Sequence, residues 1–178
     1  AIMGANLLET FGASVFTVEL VGIAVLREFG VLITAIMLAG RSDSAFTAAI
    51  ASMKMQQEID AMKVLGLDPY EALVVPRVVA CVLMAPLLSF GAMMAGLFGG
   101  MMVSWATLDI SPGFFIARMH ETIDWSHFWV GMSKAPVFGL IIAIIGCKQG
   151  MQVGGDVESL GRRVTASVVQ SIFMVIVV

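Results

Sequence analysis

Arg27, Glu28 and Lys134 each stand inside otherwise apolar stretches of this chain, where a charge costs about 3 kcal/mol or more at the centre of a bilayer. Such groups must face protein, water or a ligand. Two chemistries fit: an internal ion pair that fixes helix packing, with Lys134 snorkelling as a variant of it, or a polar lining along a passage. Glu19 and Gln170 carry weaker forms of the same signal. Metal and nucleophile chemistry find no support. His120 precedes Glu121 without completing HExxH, His120 and His127 form no metal-ligand cluster, and no Ser, His and Asp grouping sits on a strained turn. No GxxxxGK[ST] loop is present to cradle a nucleotide, so the residues identify no catalytic group and the chain reads as a non-enzyme without a cofactor of its own.

The elements that must position these charges are membrane helices. Val78–Leu108 is an unbroken run of 31 uncharged residues, which at about 1.5 Å per residue exceeds a bilayer core of roughly 30 Å. The composition agrees: 59% hydrophobic, 13% charged, 14 Met and 18 Gly against one Tyr, with a mean hydropathy of +0.96. A net charge of −3 and the absence of a basic tract exclude nucleic acid as a partner. Cys81 and Cys147 fall in apolar runs and read as small buried hydrophobes.

Further spans are expected at 13–39, 128–147 and 164–178, and 1–8 reads as the tail of another. The fold class is therefore an all-α polytopic bundle of about five spans in a single domain over residues 1–178, truncated at the N-terminus, since the chain opens at Ala1 and stops within an apolar run. Arg41, Lys54, Lys63 and Arg77 lie in 41–77 and Lys148, Arg162 and Arg163 in the loop after Cys147, which is expected on the same cytoplasmic side, whereas 109–127 holds only Arg118. The basic residues place about 41–77 in the cytoplasm and the loop 109–127 on the opposite side.

Within the cytoplasmic segment, 47–65 is polar yet keeps Met55, Ile59 and Met62 at i, i+4 and i+7, one apolar stripe on a helix. Glu58, Asp60 and Lys63 occupy its other faces. The helix either lies in the lipid interface or docks on a protein, and mixed charges with methionines favour the protein. Gly66 supplies a C-terminal stop, and Asp68, Pro69 and Glu71 form the N-cap, N1 and N3 of a new helix leading through Arg77 into the long span. Gly96 and Gly100 form a GxxxG pair for close helix packing, in this chain or with a second copy.

Taken together, AGRSDSAFTAAIASMKMQQEIDAMKVLGLDPYEALVVPRVVA, from Ala39 to Ala80, resembles the MlaE (YrbE) permease family of lipid-transporting ABC systems. The anchors are Ala39-Gly40-Arg41, Ile59-Asp60-Ala61-Met62, Gly66-Leu67-Asp68-Pro69 and Pro76-Arg77, preceded by Leu26-Arg27-Glu28-Phe29-Gly30 and followed by Asp124-Trp125 and Lys134. Asp43, Ala49 and Ala51 depart from the usual AGR-x-G and AE-x-G patterns, and Gln57-Glu58 reverses the common order.

The resemblance implies a multi-pass permease of the bacterial inner membrane that pairs with a second copy of itself. A cytoplasmic ABC ATPase, which binds the ATP, would dock on the helix carrying Met55, Glu58, Ile59, Asp60, Met62 and Lys63, and its motion would pass through the turn of Gly66, Asp68, Pro69 and Arg77. A periplasmic MCE-domain protein is implied as a partner and a STAS-domain protein as an additional one. Phospholipid or a related lipid is the implied substrate, carried between inner and outer membranes, with Arg27, Glu28 and Lys134 around its cavity. The alternatives of another class are an ion-coupled secondary transporter and a structural anchor of a larger complex.

Overall fold

The computed structural model describes Met3 and residues 15–178; the span tail expected at 1–8 lies outside the described residues apart from Met3. The described chain is all-α, with no strand, a polytopic helical bundle whose four long apolar helices could each cross a membrane: Phe16–Met55, Tyr70–Leu108, Trp125–Met151 and Val157–Val177. The α-helical elements are α1 (Phe16–Ala24), α2 (Gly30–Leu38), α3 (Ser44–Met55), α4 (Glu58–Val64), α5 (Val75–Leu108), α6 (Pro112–Thr122), α7 (Trp125–Met151) and α8 (Val157–Val177), of which α4 and α6 lie outside the four long helices. Wide π-helical turns at Val25–Phe29, Ala39–Asp43 and Tyr70–Val74 join the first elements and lead into α5.

Three boundaries differ from the sequence expectation. The chain stays helical from the first span through Thr47, so no separate helix begins there. The helix expected over 47–65 is broken: Gln57 adopts a left-handed backbone, φ 63° and ψ 15°, a conformation that costs a non-glycine residue about 1–2 kcal/mol and ends α3. The loop expected over 109–127 holds α6, begun by Ser111, whose Oγ accepts from the Phe114 N–H, and by Pro112 at the first helical position.

The helices fall into two compact units, one of residues up to Val31 with Leu88–Lys134, the other of Leu32–Leu87 with Ala135–Val178. In the first, Val18, Ile110 and Phe115 are buried together, with Met101, Leu108 and Met119 packed against them. The GxxxG pair meets a partner within the chain. A Cβ on Gly96 would lie 2.7 Å from Val25 Cγ1 and one on Gly100 2.6 Å from Val21 Cγ1, so two glycines one turn apart receive two valines one turn apart. Gly100→Leu should therefore cost about 1–3 kcal/mol by overpacking, read as a lower thermal midpoint in detergent. Val21→Ala in the same chain should recover part of the loss; a midpoint unchanged by Gly100→Leu would refute this contact.

The second unit is built on Ile50, Ile59, Leu73 and Cys147, with Met53, Met62, Val74 and Met151 around them. Polar ties hold its surface: Lys54 Nζ donates to the Met151 carbonyl at 2.6 Å, and the Arg77 guanidinium donates to the Phe46 carbonyl at 3.4 Å while lying 5.8 Å from the Phe46 ring.

Candidate functional site

The segment after Gln57 is short and closely stopped. The Leu67 N–H bonds to the Met62 carbonyl and the Gly66 N–H to the Lys63 carbonyl, the paired bonds of a Schellman end, which require the left-handed φ of +80° that Gly66 provides without a Cβ penalty. Asp68 Oδ1 then accepts from the Tyr70 N–H at 3.0 Å, with Pro69 between them. Gly66, Asp68 and Pro69 thus reverse the chain between α4 and α5, and Arg77 lies two turns further on, fixed to Phe46.

This turn decides which side chains of α4 face outward. Ile59 is 3% exposed and Met62 packs beside it in the second unit's own core, while Met55 ends α3 half-buried. The apolar stripe read from the sequence is therefore covered by this chain. Glu58, Asp60 and Lys63 are exposed, Lys63 lying 3.8 Å from Asp60. Beyond them Val64, Leu65, Leu67 and Tyr70 form a run of exposed apolar side chains that periodicity within 47–65 could not single out, because the break at Gln57 resets the helix phase.

In the first unit the three charges of the spans are brought together. Lys134 Nζ donates to both carboxylate oxygens of Glu28, at 2.9 and 3.0 Å, and Arg27 Nε stands 3.8 Å from Glu28 Oε1. A single carboxylate thus serves two cations. A second pair joins Arg118 of α6 to Glu19 of α1 at 2.8 Å. Gly131 makes room for the first group, since a Cβ there would run into the Leu26 carbonyl.

Beside Leu26 opens an apolar groove of about 390 Å³, walled by Phe90, Met94, Leu97, Ile116, Trp125 and Phe128 and carrying two polar groups, His120 and Asp124. Phe128 meets Phe90 edge-on at 6.1 Å and Trp125 at 6.4 Å, so the aromatic wall is braced by its own contacts. Arg27, Glu28 and Lys134 are not among its lining residues. Of the groove residues the sequence reading marked Leu26, Asp124 and Trp125 as parts of motifs and weighed His120 only as a metal ligand; the other lining residues are apolar and carried no signal of their own. Its size falls within the roughly 300–1,000 Å³ of small-molecule sites, and its character, mostly apolar with few polar groups, suits a ligand with a long hydrocarbon portion.

Among the described residues no group of His, Cys, Asp and Glu could hold a metal ion. A further polar cluster lies in the second unit around Asp43, which is fully buried with Thr47, Ser167 and Ser171. Sequence reading treated Asp43 only as a departure from a motif. The available signal was weak: an acid in a short polar stretch between apolar helices, and serines one turn apart in the last span.

Comparison with known proteins places this architecture. The sequence profile of the family described as Permease MlaE matches residues 1–178. A probable ABC transporter permease protein of Synechocystis sp. is 34% identical over 167 residues, 94% of this chain and 64% of that protein, and one of Rickettsia conorii is 31% identical over the same lengths. The chloroplast protein TRIGALACTOSYLDIACYLGLYCEROL 1 of Arabidopsis thaliana is 34% identical over 146 residues, 82% of this chain and 42% of its own length. The chain spans less than two thirds of each of these relatives. With a whole-chain match and, among the described residues, four membrane-length helices and no strand, this chain belongs to the MlaE family of ABC transporter permeases.

Proposed function

We propose that the chain is the membrane-embedded part of a permease that moves phospholipid or a related lipid between the inner and outer membranes of a bacterium, working as a pair of copies and driven by a separate ATPase. The observation that carries the reading is the apolar groove with His120 and Asp124. Each methylene of an acyl chain taken from water into such a groove contributes about 0.8 kcal/mol, and the two polar side chains give a headgroup donors and acceptors. The name of the Arabidopsis relative, a diacylglycerol lipid, supports a lipid substrate. Glu28 and its two cations stand close to the groove in sequence, through Leu26, and hold the helix that carries that residue.

On this reading the ATPase docks on the outward side of α4 and the turn after it, where Glu58, Asp60 and Lys63 border Val64, Leu65 and Leu67. Buried Ile59 and half-buried Met62 carry the motion inward to Leu73 and Cys147, and Asp68, Pro69 and Arg77 join it to α5. An MCE-domain protein on the periplasmic side and a STAS-domain protein in the cytoplasm complete the assembly, and the chain itself hydrolyses nothing.

Filling the groove tests the substrate claim. Met94→Trp together with Leu97→Trp should reduce phospholipid co-purified with the complex by about tenfold or more, the loss of several buried methylenes, and remove complementation in a lipid-transport assay, while leaving ATPase co-purification in place. Unchanged lipid content in a folded variant would refute the groove as the lipid site.

A further inference from the structure

Asp43 closes the π-helical turn Ala39–Asp43 and is wholly enclosed by its own chain. Its Oδ2 lies 2.6 Å from Ser167 Oγ and 2.7 Å from Ser171 Oγ, both on α8. Ser167 Oγ lies 2.9 Å from Thr47 Oγ1, which in turn lies 2.9 Å from the Gly146 carbonyl of α7. Asp43 Oδ1 has no hydrogen-bond partner, and it rests where a Cβ on Gly146 would otherwise go. No Lys or Arg forms an ion pair with Asp43 among the described residues. The titratable groups that interact with it are the buried thiols of Cys81 and Cys147, and Arg77 is engaged by Phe46.

Counting hydrogens decides the chemistry. Four oxygen–oxygen contacts need four hydrogens, and each hydroxyl has one to give. With an ionised carboxylate, Ser167 and Ser171 both donate to Oδ2, and Thr47 is left with one hydrogen for two acceptors, Ser167 Oγ and the Gly146 carbonyl. A fourth hydrogen on Oδ2 removes the conflict. Asp43 then donates to Ser167, Ser167 to Thr47, Thr47 to the Gly146 carbonyl, and Ser171 donates to Asp43. Every contact is satisfied in one direction, and no bare charge is enclosed without a counter-ion.

We propose that Asp43 is a proton-binding site, holding a carboxylic acid at the head of a one-way relay through Ser167 and Thr47 to the Gly146 carbonyl. The bound proton joins the root of α3 to α7 and α8, and its release would leave a carboxylate with one oxygen unpartnered and the relay broken. This site stands apart from the lipid reading and requires none of it.

Infrared difference spectroscopy on the purified complex tests it. At neutral pH the wild type should show the carbonyl band of a protonated carboxylic acid, shifted in D₂O and lost in Asp43→Asn. Should Asp43→Asn fail to fold, Ser171→Ala removes the one hydroxyl donated to the acid and must move the same band. The absence of such a band at neutral pH, or a band that neither variant alters, would overturn the assignment.

Discussion

Ile59→Asp is expected to abolish accumulation of the folded chain. At 3% exposure, packed among Ile50, Leu73 and Cys147, Ile59 sits in an apolar core closed to solvent, and an unpaired charge placed in such a core belongs with the few substitutions that cost more than about 4 kcal/mol. Ile59→Ala, which only leaves a cavity, should cost about 2–5 kcal/mol and give a lowered yield of monodisperse protein. Val64→Asp and Leu67→Asp mark the contrast. Both positions are exposed, at 87% and 55%, so the yield should hold while ATPase co-purification falls. Loss of the ATPase after Ile59→Asp therefore reports folding rather than docking. Monodisperse Ile59→Asp protein at wild-type yield would show that the buried cluster is misassigned.

The second large effect concerns Glu28. Its carboxylate holds Lys134 at 2.9 Å and attracts Arg27 at 3.8 Å, so Glu28→Gln strands two cations while Lys134→Met leaves Glu28 with Arg27 still in reach. An asymmetry follows: Glu28→Gln should be the more damaging. The size of the effect reads the environment of the pair. The Lys134 and Glu28 side chains are 38% and 47% exposed within the chain; if water covers them, the pair contributes about 0–1 kcal/mol. In the apolar zone of a bilayer, each stranded charge costs about 3 kcal/mol, which is more than a hundredfold in a folding equilibrium. The second regime is expected, because all three charges interrupt membrane-length apolar helices. Thermal midpoints and lipid-transport complementation of both single variants and of Glu28→Gln/Lys134→Met give the answer. The double variant should recover stability relative to Glu28→Gln; full transport by all three variants would support the anchor reading over a permease.

The membrane character, the long span and the turn at Gly66 were legible because each rests on local chemistry: an apolar run longer than the bilayer, a glycine at positive φ, an Asp-Pro helix start. Which face of 58–64 is buried was not legible. The i, i+4, i+7 spacing of Met55, Ile59 and Met62 marks an apolar stripe but does not name what covers it, and the left-handed Gln57 moves Met55 onto another helix. The π-helical turns left no trace in composition, since a wide turn follows from packing across helices. Pairing of Arg27, Glu28 and Lys134 was one of two readings left open, and choosing between them needed the 106-residue separation of Glu28 and Lys134 to be closed in space. Asp43 stayed hidden for the same reason, as its partners lie 124 and 128 residues away.

Each wide turn between Phe16 and Val74 stores one residue beyond the α period. Such a surplus passes along a helix by exchanging one backbone bond at a time, and each residue of travel swings the side chains it crosses by about 100° without unfolding either end. With a surplus at Val25–Phe29 in one unit and another at Ala39–Asp43 in the other, each turn can re-aim the side chains beside it, Arg27 and Glu28 at the first, without lengthening its helix by more than a fraction of one turn.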